Sequence, residues 1–524
     1  MGFYLNPGND AFQESLASEI YVDKSGLIAE TNAVVGTRQK FICISRPRRF
    51  GKSMAAEMLT AYYCRTCDSR ALFENLKIAQ DESFERHLNR YDVLFLNVQE
   101  FLSFAGSAEK LVPYLQQEIL NDLRKTYGTL ISPDESNLVL ALKSVYAETK
   151  RGFVIILDEW DCIFREKQKK LEAQTAYLDF LRILLKDQIY VKLAYMTGIL
   201  PIKKYGTHSA LNMFSEYSMV EAKRFAEYIG FTETEVQALC QKYHMDFAET
   251  RRWYDGYQFP RAKHIYSPKS VVDAMLNEEF NSYWTQTETY EALKVYMDMN
   301  YDGLKDAMVL MLGGGRCKID PQIFSNDMTT FQKKDDVLTL LVHLGYLAYD
   351  AEDSEVLIPN EEVRGEFLRA MDSGNWQEVI HAIQASEALL EAVWQQDGQA
   401  VAQGINAAHM ETASILQYHN ENALSCVVSL AFYSARNYYF VVRELPAGKG
   451  FADMVFVPRK HAIDKPAMII ELKWDRSVKG AIAQIKEKQY VKALEEYTGN
   501  ILLVGINYDK NTKEHQCQIE SVHK

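Results

Sequence analysis

The chain has 524 residues, too many for one hydrophobic core, so two to four domains are expected. Its 47% hydrophobic and 25% charged residues are the proportions of an ordinary soluble globular protein, while 58 Lys and Arg against 71 Asp and Glu leave a net charge of -13. That charge excludes a general affinity for nucleic acid, because phosphate binding needs a cationic surface, and confines any such site to a local basic patch.

No basic segment followed by a long apolar one opens the chain, and no run approaches about 18 apolar residues, so neither a signal peptide nor a membrane span is expected and the location expected is cytoplasmic. Of the eight cysteines, Cys43, Cys162 and Cys426 lie in apolar runs, as reduced buried thiols do. Cys64 and Cys67 form a single CxxC with no second pair, which reads as helix packing rather than zinc.

In chain order, residues 21–28 (YVDKSGLI) read as a turn and short helix beside the elements that follow. Residues 41–44 have the apolarity of a buried strand, and 54–63 (MAAEMLTAYY) have the composition of a helix. Between them Arg46, Pro47, Arg48, Arg49, Phe50, Gly51, Lys52 and Ser53 turn strand into helix. Amides at such a helix start are unpaired and sit at the positive end of its dipole, so the turn can wrap a phosphate. Lys52 would reach the terminal phosphates of ATP and Ser53 would hold Mg2+. The usual pattern is GxxxxGK[ST], and here Arg46 stands in the first glycine's place.

Residues 91–99 (YDVLFLNVQ) read as a second strand, and 153–159 (FVIILDE) as a third that closes on Asp158 and Glu159. The Asp suits the magnesium shell and the Glu suits orientation of the attacking water. A fourth strand, 192–197 (KLAYMT), ends on Thr197, either a polar sensor for the terminal phosphate or a turn former. Phosphate strand, intervening strand, acidic strand and sensor strand is the order of the additional-strand P-loop ATPases, and it predicts parallel strands with helical crossovers. Residues 221–229 and 233–243 read as lid helices, and the aromatic residues of 253–259 (WYDGYQF) are expected to pack that lid rather than close over a base. Residues 335–369 read as helix, hairpin and helix, similar to a winged helix. Its wing carries Asp350, Glu352, Asp353 and Glu355, which would repel phosphates, so a packing or relay role is expected.

Residues 375–417 read as mostly helical and lead to a second informative region. Asp453 lies in FADMVFVP, Glu471 and Lys473 in MIIELKW, and Gln484 in AIAQIKEKQY. Two apart on a strand, Glu471 and Lys473 share a face. Two carboxylates and a lysine at one point meet the needs of metal-dependent phosphodiester cleavage, in which the carboxylates hold Mg2+ and the lysine orients or activates the water. A strand at 501–506 and a helix over 480–494 would complete the layer. From Lys473 to Lys492, six basic residues face Asp475 and Glu487, a local excess of four positive charges that supplies the basic patch.

The set YVDKSGLI, SRPRRFGKS, LDEWD, MTGILPIKK and WYDGYQF, over about the first 290 residues, resembles the bacterial AAA-ATPase-like proteins whose C-terminal part is a PD-(D/E)xK nuclease-like domain. The D...ExK strands followed by the A..QI....Y helix resemble that C-terminal domain. The resemblance implies that an arginine at position 46 is usual; read physically, Arg46, Arg48 and Arg49 add cationic donors to a loop with one glycine and could bind phosphate, Asp158 or a neighbouring subunit. It also implies that Gln484 joins the catalytic residues and that Glu421, in NENALSCVVSLAF, completes the metal shell.

The expected fold is α/β, with a P-loop ATPase domain over 1–225, a helical lid and winged-helix-like module over 226–372, and a restriction-endonuclease-like domain over 373–524. The expected function is ATP hydrolysis coupled to Mg2+-dependent cleavage of DNA or RNA, in defence against foreign nucleic acid. The competing class is a nucleotide-dependent switch or scaffold whose nuclease-like domain binds a partner without cutting, and the intact Asp453, Glu471 and Lys473 favour the first. No membrane partner is expected, and a homo-oligomer is compatible with the sequence. Because the two sets of ligands come from segments joined by a long helical connection, a fragment from about Asn375 onward is expected to fold alone.

Overall fold

The computed structural model describes residues 2–522 except 167, 203–210, 285–288, 300, 302, 326–330, 373–375, 413–420, 448–449, 460–461, 495–496 and 498. The chain forms two compact units, Met1–Gln286 with Lys318–Val363, and Thr287–Cys317 with Arg364–Lys524. The last lysines of the MTGILPIKK motif, Lys203 and Lys204, lie outside the described residues, as do 375 and 413–417 of the expected helical stretch.

The first unit is built on five parallel strands, β1 (Phe41–Ser45), β2 (Asp92–Asn97), β3 (Phe153–Asp158), β4 (Val191–Gly198) and β5 (Ser215–Tyr217), in the order β2-β3-β4-β1-β5. Strand β4 lies between β1 and β3, with Thr197 opposite Ile44 and Met196 opposite Leu157. This is the additional-strand arrangement, and a parallel sheet covered on both faces accounts for the unbroken apolar runs. Leu94, Leu96, Ile155, Leu157 and Met196 pack in one core with Leu115, Ile119 and Leu181 of flanking helices. Because all strands run one way, Ser45, Asn97, Asp158 and Thr197 gather at one edge of the sheet, where open α/β sheets bind ligands.

Helix α1 (Lys52–Tyr63) starts two residues earlier than its composition suggests, because Gly51, at φ 89°, takes the left-handed turn that caps it. The helix Glu233–Tyr243 opens on a capping box between Thr232 and Glu235. Its expected predecessor over 221–229 is instead a single 3-10 turn, Lys223–Phe225. There the Phe225 ring packs against Tyr217 at 4.4 Å with Arg224 over its face, so tertiary packing overrides helix propensity. Tyr254 is buried in a cluster with Phe231, Val236, Tyr266 and Val271, so this lid aromatic packs as expected. The helix Lys334–Leu344 is followed by an antiparallel pair, Ala348–Asp350 with Glu355–Leu357.

In the second unit, β6 (Tyr439–Ala447), β7 (Gly450–Pro458), β8 (Ala467–Trp474), β9 (Ile501–Asp509) and β10 (Glu514–Val522) lie in sequence order. Only β8 and β9 pair in parallel, joined through α2 (Val478–Glu487), and the other pairs are antiparallel. Gly505 of β9, opposite Glu471, lets α2 lie close: a Cβ there would sit 2.9 Å from the Val478 carbonyl. The helix stops at Glu487 and resumes as a 3-10 turn, Tyr490–Leu494, instead of running to 494, because Gln489 takes a left-handed φ of 57°. Before this sheet come the helices Gln377–Gln384, Ser386–Trp394 and Gly398–Thr412. Among the described residues no helix is long and apolar enough to cross a membrane.

Candidate functional sites

At the ligand edge of the first sheet, Asp158 is buried at the end of β3. Its Oδ2 accepts a hydrogen bond from the Ser53 hydroxyl at 2.7 Å, and its Oδ1 accepts one from the Thr197 hydroxyl. Ser53, the second residue of α1, and Thr197, the next-to-last of β4, thus converge on the carboxylate that ends β3. Lys52 is buried beside them, with Nζ donating to the Pro47 carbonyl at 2.9 Å and standing 3.9 Å from Glu159. Burial pulls the Lys52 pKa down, opposed by the charges of Glu159 and Asp158.

Glu159 sits at φ 53°, a left-handed conformation that costs a non-glycine residue about 1–3 kcal/mol and tends to occur at functional sites. Its carboxylate accepts from Arg165, which also donates to Asp161 at 3.1 Å. Asp161 in turn accepts the amides of Ile199 and Leu200 at 3.1 and 2.8 Å, fixing the chain just past Thr197. Arg165 and Asp161 were not singled out from the sequence, although both follow from LDEWD: Asp161 is its last residue, and Arg165 lies one helical turn beyond.

A cavity of about 830 Å³ opens over this group. Arg48, Arg49, Phe50, Gly51, Lys52 and Ser53 line one wall, with Glu159 and Arg165 beside them. Tyr21, Val22 and Lys24 of the YVDKSGLI segment also line it, together with Phe231, Val272 and Leu276. The contribution of Phe231 and of the helix Pro268–Asn277 was not legible, because nothing in their local pattern marks a ligand wall. Arg46 is elsewhere: its buried guanidinium donates to the carbonyls of Ser45 and Tyr217 at 2.9 and 3.1 Å and lies over the Phe259 ring. Burial lowers its pKa to about 10.

In the second unit, Asp453 of β7 and Glu471 of β8 are cross-strand neighbours, since Met454 faces Ile470 in the register. Asp453 Oδ2 accepts the Leu472 amide at 2.7 Å. Glu471 is 2% exposed, and its Oε1 accepts from Lys473 Nζ at 2.7 Å and from the Gln484 amide of α2. Gln484 also donates to the Tyr490 hydroxyl at 3.3 Å, which ties α2 to the 3-10 turn that follows it. Glu471 Oε2 is buried and has no hydrogen-bond partner among the described residues. Burial, reinforced by the charge of Asp453, pushes Glu471 up to about 7, and burial likewise raises Asp453. Glu421, exposed at the start of the helix Glu421–Ala431, adds a negative charge felt by both. Lys486 of the basic run is paired with Glu520, and the side chain of Lys492 lies outside the described residues.

Among the described residues no group of three or more His, Cys, Asp or Glu side chains is placed to hold a metal ion. The pair Asp453 and Glu471 fits a divalent cation nonetheless, because Mg2+ is commonly held by one or two carboxylates with water and phosphate oxygens, and Glu471 keeps a buried oxygen unused. At the first site, Ser53 and Asp158 are the residues that could hold the ion.

The family model of predicted AAA-ATPases, AAA-ATPase-like, matches residues 8–207, and that of the PD-(D/E)XK nuclease superfamily matches residues 419–517. A protein encoded in the region 5′ of vnfD in Azotobacter chroococcum mcd 1 is 26% identical over 280 residues, 51% of this chain and 51% of its own length. The chain thus spans about half the length of that relative. Among solved structures, Cdc6p from Pyrobaculum aerophilum is 8% identical with a TM-score of 0.25, covering 70% of this chain and 97% of its own. The ORC2 protein of Aeropyrum pernix, in ADPNP-ADP complexes, is 11% identical with a TM-score of 0.31 and the same coverage, 70% and 97%. The chain therefore joins an AAA-ATPase-like domain, over residues 8–207, to a PD-(D/E)XK nuclease-superfamily domain, over residues 419–517.

Proposed function

We propose that the first unit binds and hydrolyses ATP and that the second cleaves DNA or RNA phosphodiesters with Mg2+, the nucleotide state licensing the cut. The observation that carries the reading is Glu471 Oε2, a buried carboxylate oxygen left without a partner beside Asp453 and within the reach of Lys473. A buried carboxylate set between a second carboxylate and a lysine is the arrangement that a divalent cation and a scissile phosphate call for.

At the first site Lys52 neutralises the terminal phosphates, Ser53 and Asp158 hold the ion's shell, and Thr197 senses the terminal phosphate through Asp158. Glu159, anchored by Arg165, orients the attacking water. At the second site Asp453 and Glu471 hold the cation, Lys473 orients or activates the water, and Gln484 fixes the Glu471 carboxylate. Mg2+ supplies charge neutralisation at the phosphates of ATP, and polarisation of the scissile phosphate and its water at the nucleic acid. The exposed Arg476, Lys479 and Lys488 provide cationic surface for the strand in a chain whose overall charge is negative. A cutter held in check by nucleotide suits defence against foreign nucleic acid, where cleavage must wait for a signal.

The test is cleavage of plasmid, linear DNA and RNA by the full chain, with Mg2+ or Mn2+, with and without ATP. Asp453→Ala and Glu471→Ala should each abolish cleavage and weaken metal binding. Lys473→Ala should keep metal binding and lose cleavage by about 10²-fold or more, the size of losing a positioned catalytic group. Activity that persists without Glu471, or a wild type that cuts nothing under any metal, would sink the assignment. Loss of cleavage in Lys52→Ala would show the ATPase in control.

A further inference from the structure

Several buried acids belong to neither site, Glu362 among them. Glu362 is 1% exposed, lies in the first unit near the start of the helix Glu361–Asp372, and does not line the nucleotide cavity. Its Oε1 accepts the amides of Tyr283 and Trp284 at 2.7 and 2.9 Å, and the Ser270 side chain also hydrogen-bonds the carboxylate. The carbonyls of the same two residues accept from Arg49 Nη1 of the phosphate loop at 2.6 and 2.9 Å. A carboxylate therefore grips the amide side of residues 283–284 and a guanidinium grips their carbonyl side. Burial raises Glu362 to about 7, against the hydrogen bonds from Ser270 and from the two amides and, last, the charge of Arg49.

Three neighbouring observations point the same way. Arg49 sits at φ 69°, a strained conformation that persists only where its surroundings dictate it. The Phe50 ring packs edge-on against Tyr257 at 5.2 Å and Trp284 at 6.3 Å. Gly345 lies so close to the loop that a Cβ would stand 2.8 Å from both Pro47 Cβ and Trp284 Cη2, and its carbonyl accepts the Tyr257 hydroxyl at 2.5 Å. A usual phosphate loop takes its shape from glycines. Here the loop has Gly51 alone, and Pro47, Arg49 and Phe50 are shaped from outside.

We propose that Glu362 is a positioning residue for the nucleotide site: with Arg49 it clamps residues 283–284 against the phosphate loop and holds that loop in the shape that accepts ATP. The functional half of this inference rests on the ATP reading above, whereas the clamp itself does not.

Two measurements on the full chain separate them, amide hydrogen exchange without nucleotide and calorimetric titration with Mg-ATP, for Glu362→Ala, Glu362→Gln, Arg49→Met and the Arg49→Met/Glu362→Ala double variant. The loop amides of 46 and 48–53 should exchange about tenfold faster in Glu362→Ala and in Arg49→Met, and ATP affinity should fall about tenfold in both. The double variant should be no worse than its weaker single, because both jaws act through one segment. Glu362→Gln keeps an acceptor oxygen and should recover most of the affinity, a rescue that a general loss of stability would not give. Should Glu362→Ala not fold, Arg49→Met removes the other jaw while leaving the buried acid in place. Unchanged exchange and affinity in Glu362→Ala, or single effects that multiply in the double, overturn the clamp and leave the ATP reading standing. A wild type that binds no ATP overturns the positioning role, and the exchange data then report the clamp by itself.

Discussion

Two carboxylates carry the proposed chemistry, and each is tested by what surrounds it. Lys52 is the cation buried against Asp158 and Glu159, so Lys52→Ala should weaken ATP binding by about 30-fold or more in calorimetry, the cost of removing one partner of a buried charged contact. Glu159→Gln leaves Lys52, Ser53 and Asp158 in place; it should keep ATP bound and slow phosphate release by about 10²-fold or more. Unchanged ATP affinity in the Lys52 variant would remove the phosphate-loop assignment. Glu471 has the opposite problem, since its ordinary value of 4.5 is pushed up to about 7 by burial and then by Asp453. The folded chain therefore holds a proton that the unfolded chain releases across that window, and the corresponding stability, up to ~3 kcal/mol, is present below 4.5 and lost as pH rises through 7. Glu471→Gln cannot titrate, so from about pH 5 to about pH 8 its melting temperature should fall less than that of the wild type. Added Mg2+ at the higher pH should raise the wild-type melting temperature and leave the variant's where it was; equal pH slopes would show that Glu471 does not carry the effect.

Secondary-structure elements place these residues, and they were legible to different degrees. The apolar runs over 41–44, 91–99, 153–159 and 192–197 are all strands of one parallel sheet, because burial on both faces writes itself into sequence as continuous apolarity. The convergence of Ser53 and Thr197 on Asp158 was partly legible, since strand order alone sends those ends to one edge. Arg46 was not: a basic residue in a phosphate motif carries no local sign that it will turn inward to Tyr217 and Phe259. Nor was the clamp on residues 283–284, whose partners are more than two hundred residues apart along the chain. In the second unit, the two-residue spacing of Glu471 and Lys473 fixed their common face, but Gly505 disclosed its role only in three dimensions, as the gap that admits α2. Gly505→Val should push α2 outward, because its Cβ would meet the Val478 carbonyl at 2.9 Å and Ala481 at 3.1 Å. Gln484 would then lose Glu471, and cleavage should drop while the Lys473 contact, made within β8, survives. A variant that cuts as well as the wild type would show that α2 has no part in holding the carboxylate.

At the scale of the whole molecule, the chain passes between its two units three times, near residues 286, 317 and 363, so neither unit is one continuous piece. The sequence offers no sign of this, because residues 287–317 show only an unremarkable helical composition next to the lid. In the structure they belong with the nuclease-like unit, and three contacts say why. Cys426 donates to the Val309 carbonyl at 3.5 Å, Arg443 donates to the Gly313 carbonyl at 3.2 Å, and Arg364 donates to the Leu312 carbonyl. Leu304, Met308, Met311 and Leu312 of the helix Leu304–Leu312 are all buried. Excision of that helix would expose about four large apolar side chains' worth of surface, at about 1.5–3 kcal/mol each, and would strip partners from Arg364 and Arg443. A typical domain is stable by only about 5–15 kcal/mol. The expectation that a fragment from about Asn375 folds alone is therefore revised: that fragment should be molten or insoluble. A fragment carrying 287–317 joined by a flexible linker to 364–524 should instead give a cooperative thermal melt followed by circular dichroism. If the shorter fragment melts as sharply as the longer one, the helix Leu304–Leu312 is an accessory to the second unit and not part of its core.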